Sequence, residues 1–320
     1  MTMPPPSPDQ PAHRILLLGG SGYVGGRLIP LLERSGVTLR CVARNPEKLR
    51  LLVNATMEVV SGDVLDAASL DGAMAGVETV YYLVHLMAGS KDFERQDGEA
   101  AQNVAAAAGK AGVRRMVYLG SLGDENAPDL SPHLRSRHEV GRIFRTIGVE
   151  TVELRASVVI GAGSLSFTMM KSLCDRLPVM LCPKWLTTPT QPIAVDDVLA
   201  YLLAAKDLPA SGSRVIEIGG SDVVTYGGMI REYARQRGLR RWLISVPVLT
   251  PYLSSLWLAL VTPAAFEVGR HLIEGLRNPT VVRDRKAMDA FAIRPMAMRE
   301  AMEKALTAGE NPSPRLTPSD

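Results

Sequence analysis

Short, unbroken apolar runs, each followed by a longer amphipathic stretch, set the rhythm of this chain. His13 to Leu18 ends in four consecutive aliphatic residues, and Thr38 to Val42, Met57 to Ser61, Thr79 to Val84, Arg115 to Leu119 and Thr151 to Arg155 repeat the type. Runs this short and this apolar predict strands covered on both faces, as in a parallel sheet. Between them, Tyr23 to Ser35 carries Val24, Leu28, Leu31 and Leu32 at the helical period, and Phe93 to Ala111 has an alanine-rich face. Both predict helices, the first ended by Gly36. After Gly161 the rhythm loosens. Helices are expected over Ser164 to Arg176, Asp196 to Ala205 and Tyr226 to Gln236, separated by proline-rich connectors such as Thr188-Pro189-Thr190-Gln191-Pro192. Strands alternating with helices predict an α/β fold: a doubly wound parallel sheet with a smaller, mostly helical C-terminal substrate region.

Composition narrows the picture only a little. With 320 residues, 46% apolar and 22% charged, the chain has room for one large core or two smaller ones. A net charge of +3 without a long basic tract argues against nucleic acid as a partner. Cys41, Cys174 and Cys182 have no C-x-x-C spacing, which suits a reducing compartment. The histidines, His13, His85, His133, His138 and His271, form no helical pair with carboxylates, so no metal site is expected. Residues 1–12, MTMPPPSPDQPA, lack an apolar centre and read as a disordered lead, giving a cytoplasmic expectation; 311–320 read as a disordered tail. Leu243 to Phe266 contains no charge and has the length of a bilayer span, but Pro247, Pro251 and Pro263 interrupt it. A buried or pocket-lining segment is expected, with a short helix from Tyr252 to Val261. Arg231, Arg235, Arg237, Arg240 and Arg241 just before it also fit peripheral membrane contact. Asp196 and Asp197 are expected to cap their helix, and Met169 and Met170 to fill core gaps.

The chemistry is announced where the first run meets the first helix: Leu18-Gly19-Gly20-Ser21-Gly22-Tyr23-Val24-Gly25. Two spacings fit, Gly19-x-x-Gly22-x-x-Gly25 and Gly20-x-Gly22-x-x-Gly25, and either sets bare N–H groups at the positive end of a helix. A Cβ at these positions would hold a diphosphate away. Strand, turn, helix and second strand together predict a Rossmann-type dinucleotide site over residues 13–160, with Gly19 to Gly25 on the phosphates. Substrate specificity then falls to 161–310, interleaved with the core. At the tip of the second strand, an acidic residue would hold a ribose 2′-hydroxyl; this chain has Arg44, which bonds a phosphate, so NADP(H) is favoured over NAD(H). A solvated loop arginine is the alternative, and Arg27 and Arg40 are weaker helpers. At the end of the third strand, Asp63 offers a carboxylate to the adenine or caps the following turn, with Val64 beside it. Val84 and His85, at the end of the fourth, fall near the nicotinamide, as does Tyr118.

These motifs resemble the extended and atypical branches of the short-chain dehydrogenase/reductase superfamily, particularly its NAD(P)H-binding, NmrA-like group. The resemblance spans Arg14 to about Gly220. It adds Tyr118-Leu119-Gly120-Ser121, Leu154-Arg155-Ala156 with Gly161-Ala162-Gly163, and Ile193-Ala194-Val195-Asp196-Asp197-Val198 to the glycine turn. The family's catalytic members use a serine with a tyrosine and, one helical turn on, a lysine that lowers the tyrosine pKa. Ser121 matches the serine. The register then puts Leu134 in place of the tyrosine and His138 in place of the lysine, and Leu122 to Ile147 contains no tyrosine or lysine at all. Two functions follow from the resemblance. One is NADPH-dependent reduction of a small apolar or quinone-like substrate, the proton coming from His138, His85 or water. The other is a non-catalytic NAD(P)H-binding redox sensor or accessory protein.

Overall fold

The computed structural model describes residues 13–51, 53–54, 57–86, 92–246, 274–284 and 286–310. Strand β1 (Arg14–Leu18) turns through the glycines into helix α1 (Tyr23–Arg34). The chain continues as β2 (Thr38–Ala43), α2 (Pro46–Arg50), β3 (Glu58–Ser61), α3 (Ala67–Met74), β4 (Thr79–Tyr82), α4 (Phe93–Lys110), β5 (Arg115–Ser121), α5 (Pro132–Thr146) and β6 (Glu150–Ala156). Then come β7 (Val159–Ile160), α6 (Leu165–Arg176), β8 (Val179–Cys182), β9 (Pro189–Thr190), β10 (Ile193–Ala194), α7 (Val195–Ala205), β11 (Arg214–Ile218), β12 (Val224–Thr225), α8 (Tyr226–Gln236), β13 (Trp242–Ser245), α9 (Lys286–Ala290) and α10 (Met298–Glu310).

Among the described residues, seven strands form one sheet in the order β11-β6-β5-β4-β1-β2-β3. Every pairing in it is parallel. The strand order reverses between β1 and β4, and the carboxyl ends of strands at such a switch point are where doubly wound folds bind ligands. Alternate residues of each strand serve opposite faces. Ile15, Leu17, Tyr81 and Val117 pack with Leu28 and Leu32 of α1 and Leu202 of α7, while Leu16, Leu18, Val80 and Met116 pack with α3, α4 and α5. Tyr81 adds a hydrogen bond from its hydroxyl to Leu202 O, 2.9 Å, buried between sheet and α7. A third cluster, including Phe167, Met180, Met229, Ile230, Tyr233 and Met302, forms beyond the carboxyl edge.

Several differences from the sequence reading have simple causes. Strand β11, which the sequence reading did not single out, pairs with β6 at the edge of the main sheet. Arg40 is no helper for a coenzyme phosphate: it is 7% exposed, donates to Ala73 O and Ala75 O, and pairs with Glu58. Asp196 and Asp197 occupy the first turn of α7 without capping it. Asp197 instead accepts from Met296 N, 2.8 Å, and Asp196 pairs with Lys304, tying α7 to the C-terminal segment. The lead at 1–12, the helix expected at 252–261 and the tail at 311–320 lie outside the described residues. No described helix is long and apolar enough to cross a membrane.

Candidate functional site

The turn between β1 and α1 can be built only with glycine at two of its positions. Gly19 has φ +90°, and a Cβ there would stand 2.8 Å from the backbone of Leu83. A Cβ on Gly25 would lie 2.2 Å from Gly19 O. The turn is closed by Gly22 N donating to Gly19 O, 3.0 Å. Helix α1 then opens with no side-chain cap and no acidic residue in its first turn. Its first N–H groups have no partner within the helix, so this end attracts an anion. Tyr23 follows, its hydroxyl buried with no hydrogen-bond partner among the described residues. Burial pushes that phenol up to about 12, against the pull of Arg27. A tight glycine cradle and an uncapped helix start fit a dinucleotide diphosphate.

Arg44, just past β2, is exposed and makes no hydrogen bond or ion pair among the described residues. Arg27 is engaged elsewhere: it lies 3.9 Å from the Tyr23 ring centroid and donates to Ala162 O, 2.9 Å. Asp63 turns its carboxylate onto Leu65 N, 3.0 Å, holding the turn after β3, with Val64 buried beside it. At the ends of β4 and β5, buried Arg137 donates to Val84 O, 3.2 Å, and to Leu119 O, which fixes the spacing of the two strand ends.

Beyond these ends lies a cavity of about 380 Å³. Tyr23 and Val24 from the glycine turn, Ser121 from β5, and His133 and Leu134 from α5 stand in its wall. The rest is mostly apolar, including Leu165, Met169, Leu173, Met180, Trp185 and Met229. Met169 and Met170 thus line a cavity as well as filling space. Behind His133, His85 Nε2 is 3.1 Å from His133 Nδ1, and His85 Nδ1 is 3.0 Å from Asp97 Oδ2. The Asp97 side chain is wholly buried and also accepts from Ser136 Oγ, 2.8 Å, and Leu86 N, 3.0 Å. Burial alone would raise that carboxyl, but the His85 hydrogen bond and charge, with Arg137 and Ser136, outweigh it and hold it at about 2. Burial holds His85 below its ordinary value despite Asp97.

His138 and Tyr118 do not join this wall. His138 is 6% exposed, with neither ring nitrogen bonded among the described residues, and burial followed by the Arg155 charge brings it down to about 4. Tyr118 is no neighbour of the cavity either: it is fully buried against Tyr82 and Phe144, and its hydroxyl donates to Arg137 O, 2.9 Å. Sequence reasoning missed Asp97, Arg137 and the position of His133 in the cavity wall. Asp97 left a signal: it sits four residues after Phe93 and four before Ala101, a carboxylate on the buried stripe of α4.

Residues 19–170 match a family model described as NAD(P)H-binding. Among curated proteins, the chain is 26% identical over 263 residues to a ceramide reductase of Caulobacter vibrioides, covering 80% of this chain and 82% of that one. It is 29% identical over 232 residues to the (4-alkanoyl-5-oxo-2,5-dihydrofuran-3-yl)methyl phosphate reductase of Streptomyces griseus, covering 70% and 74%. The Citrobacter sp. triphenylmethane reductase complexed with NADP(H) shares the fold, with a TM-score of 0.71 at 17% identity over 91% of this chain and 99% of that chain. Glycine turn, sheet order and these likenesses agree on a Rossmann-type fold whose residues 19–170 match an NAD(P)H-binding domain, in a chain similar over most of its length to reductases.

Proposed function

We propose that the protein is an NADPH-dependent reductase, acting in the cytoplasm on a carbonyl group of a largely apolar small molecule. The observation that carries this reading is the apolar cavity whose wall joins the start of α1 to Ser121 at the end of β5. Its volume falls in the range of small-molecule sites, and its Met, Leu and Trp lining suits an apolar body better than a sugar nucleotide. The names of the two reductase relatives support the same chemical class.

Gly19 to Gly25 would hold the diphosphate, and Asp63, Val64 and Val84 would line the path from adenine to nicotinamide. The bound coenzyme supplies a hydride at its nicotinamide. NADP(H) is favoured over NAD(H) because Arg44 is exposed at the end of β2, where a 2′-phosphate would lie. Ser121 would hydrogen-bond the substrate oxygen from the cavity wall.

The test is direct. Fluorescence titration should give tighter binding of NADPH than NADH, and Arg44→Asp should reverse that order. NADPH oxidation followed with long-chain ketones, aldehydes and quinones should identify an acceptor. Tight NADPH binding with no oxidation by any acceptor would turn the reading to the redox-sensor alternative.

A further inference from the structure

We infer that His133 is the proton donor to the carbonyl oxygen, and that Asp97 and His85 are the positioning residues that hold it ready, in place of the family's tyrosine and lysine. The inference rests on the reductase reading above. It starts from position. Leu134 occupies the tyrosine register and lines the cavity, and His133 stands next to it in the same wall, on the first turn of α5 with Ser131 as the N-cap.

The hydrogen bonds fix which proton moves. Asp97, ionised and enclosed by Ser136 Oγ, Leu86 N and the Arg137 charge, takes the proton on His85 Nδ1 as its hydrogen bond. His85 Nε2 is then an acceptor, and it receives His133 Nδ1–H across 3.1 Å. With Nδ1 turned to His85, His133 exchanges protons with substrate through Nε2. The arrangement has the logic of a base oriented by a second group that is itself oriented by a third.

Two fields act on the His133 imidazolium. The start of α5 works against it, and the Asp97 carboxylate, reaching it through His85, works for it. Burial, and then Arg137 facing it from α5, disfavour charge on His85 itself, which keeps that ring neutral between Asp97 and His133.

In the reduction, the hydride and its electron pair form a new C–H bond at the carbonyl carbon. The C=O π pair moves to oxygen, which takes the proton from His133 Nε2 and becomes a hydroxyl. NADPH is thereby oxidised to NADP⁺, and His133 is left neutral with its Nδ1–H still on His85. Solvent returns one proton to Nε2, and in the reverse direction neutral His133 is the base.

A purely structural brace between α4, the end of β4 and α5 would show the same distances, so the test must read protons. Histidine ¹⁵N NMR of the apoprotein should show His133 carrying hydrogen on Nδ1, with its titration displaced in Asp97→Asn and in His85→Gln. Independent titrations, unmoved by either change, would overturn the relay whether or not a substrate is in hand. With an active acceptor, His133→Gln should lower kcat about a hundredfold or more while KM and NADPH affinity hold, and should remove the alkaline fall of kcat. His85→Gln and Asp97→Asn should shift that limb, and imidazole added to His133→Gly should restore turnover. An unchanged kcat and pH profile in a folded His133→Gln protein would overturn the relay and leave the reductase reading standing. Absence of turnover in the unaltered protein, with the NMR linkage intact, would remove the reductase reading instead.

Discussion

Acid should unfold this protein through one buried imidazole, and the size of the effect follows from where His138 sits. His138 is 6% exposed, neither ring nitrogen is bonded among the described residues, and burial followed by the Arg155 charge, with smaller help from Arg145 and Arg137 and against the pull of Glu125, disfavours its protonation. In the folded chain it stays neutral down to about 4, whereas unfolded it takes a proton below its ordinary value of 6.5. Stability is therefore whole above the unfolded value and is lost as pH falls toward the folded one. Each pH unit in that window costs about 1.4 kcal/mol, so the loss from this group is about 2 kcal/mol by pH 5 and about 3 kcal/mol by pH 4. Replacing the ring removes the term: His138→Leu should be about 1 kcal/mol more stable at neutral pH, because two unpaired nitrogens leave the interior. Urea unfolding of both proteins at half-unit steps from pH 7 to pH 4 reads the difference directly. Other acid-labile groups are common to both proteins and cancel. Two profiles that run parallel over the whole window would refute the reasoning.

Gly25→Ala should abolish coenzyme binding, measured by NADPH fluorescence, because its methyl would stand 2.2 Å from Gly19 O and spread the turn. Met169→Trp should fill part of the cavity, raising KM severalfold for the longest acceptors while NADPH affinity stays the same. Gly141→Ala should destabilise the protein by about 3 kcal/mol in thermal melting, since the Glu153 carboxylate, buried and paired with Arg145 and Arg155, lies 2.4 Å from the added carbon. Arg137→Met should loosen the ends of β4 and β5 and weaken coenzyme binding about tenfold, as two half-buried carbonyls, Val84 O and Leu119 O, lose their donor.

The sheet was legible because strands covered on both faces must be apolar throughout, and Arg14–Leu18 or Thr79–Tyr82 leave no other reading. The helix α8 was legible to the residue, Tyr226–Gln236, because its apolar face is regular. Helix α5 has no such face. Its buried side carries Ser136, Arg137, His138 and Gly141 among the aliphatic residues, so periodicity fades where the chain places polar groups inward. Strand β11, RVIEI, is flanked and interrupted by charge because it lies at the sheet edge. The glycine turn could be read because backbone geometry dictates residue type there. His133 could not, since its partners lie 36 residues back, on Asp97, and 48 back, on His85. Family register pointed to His138, the position where the lysine would stand, but the fold carries that ring inward.

Tyr23 belongs to two neighbourhoods at once. It opens the helix on which the diphosphate cradle is built, and it stands in the chamber wall, where a methyl on Gly161 would come within 2.3 Å of its hydroxyl. Arg27 rivets the same helix to the Ala162 carbonyl of the facing loop. A coenzyme held at the glycine turn would therefore sit against one side of the chamber that the acceptor enters. Steady-state kinetics should accordingly be sequential and ordered, with nucleotide as leading reactant and last product to depart.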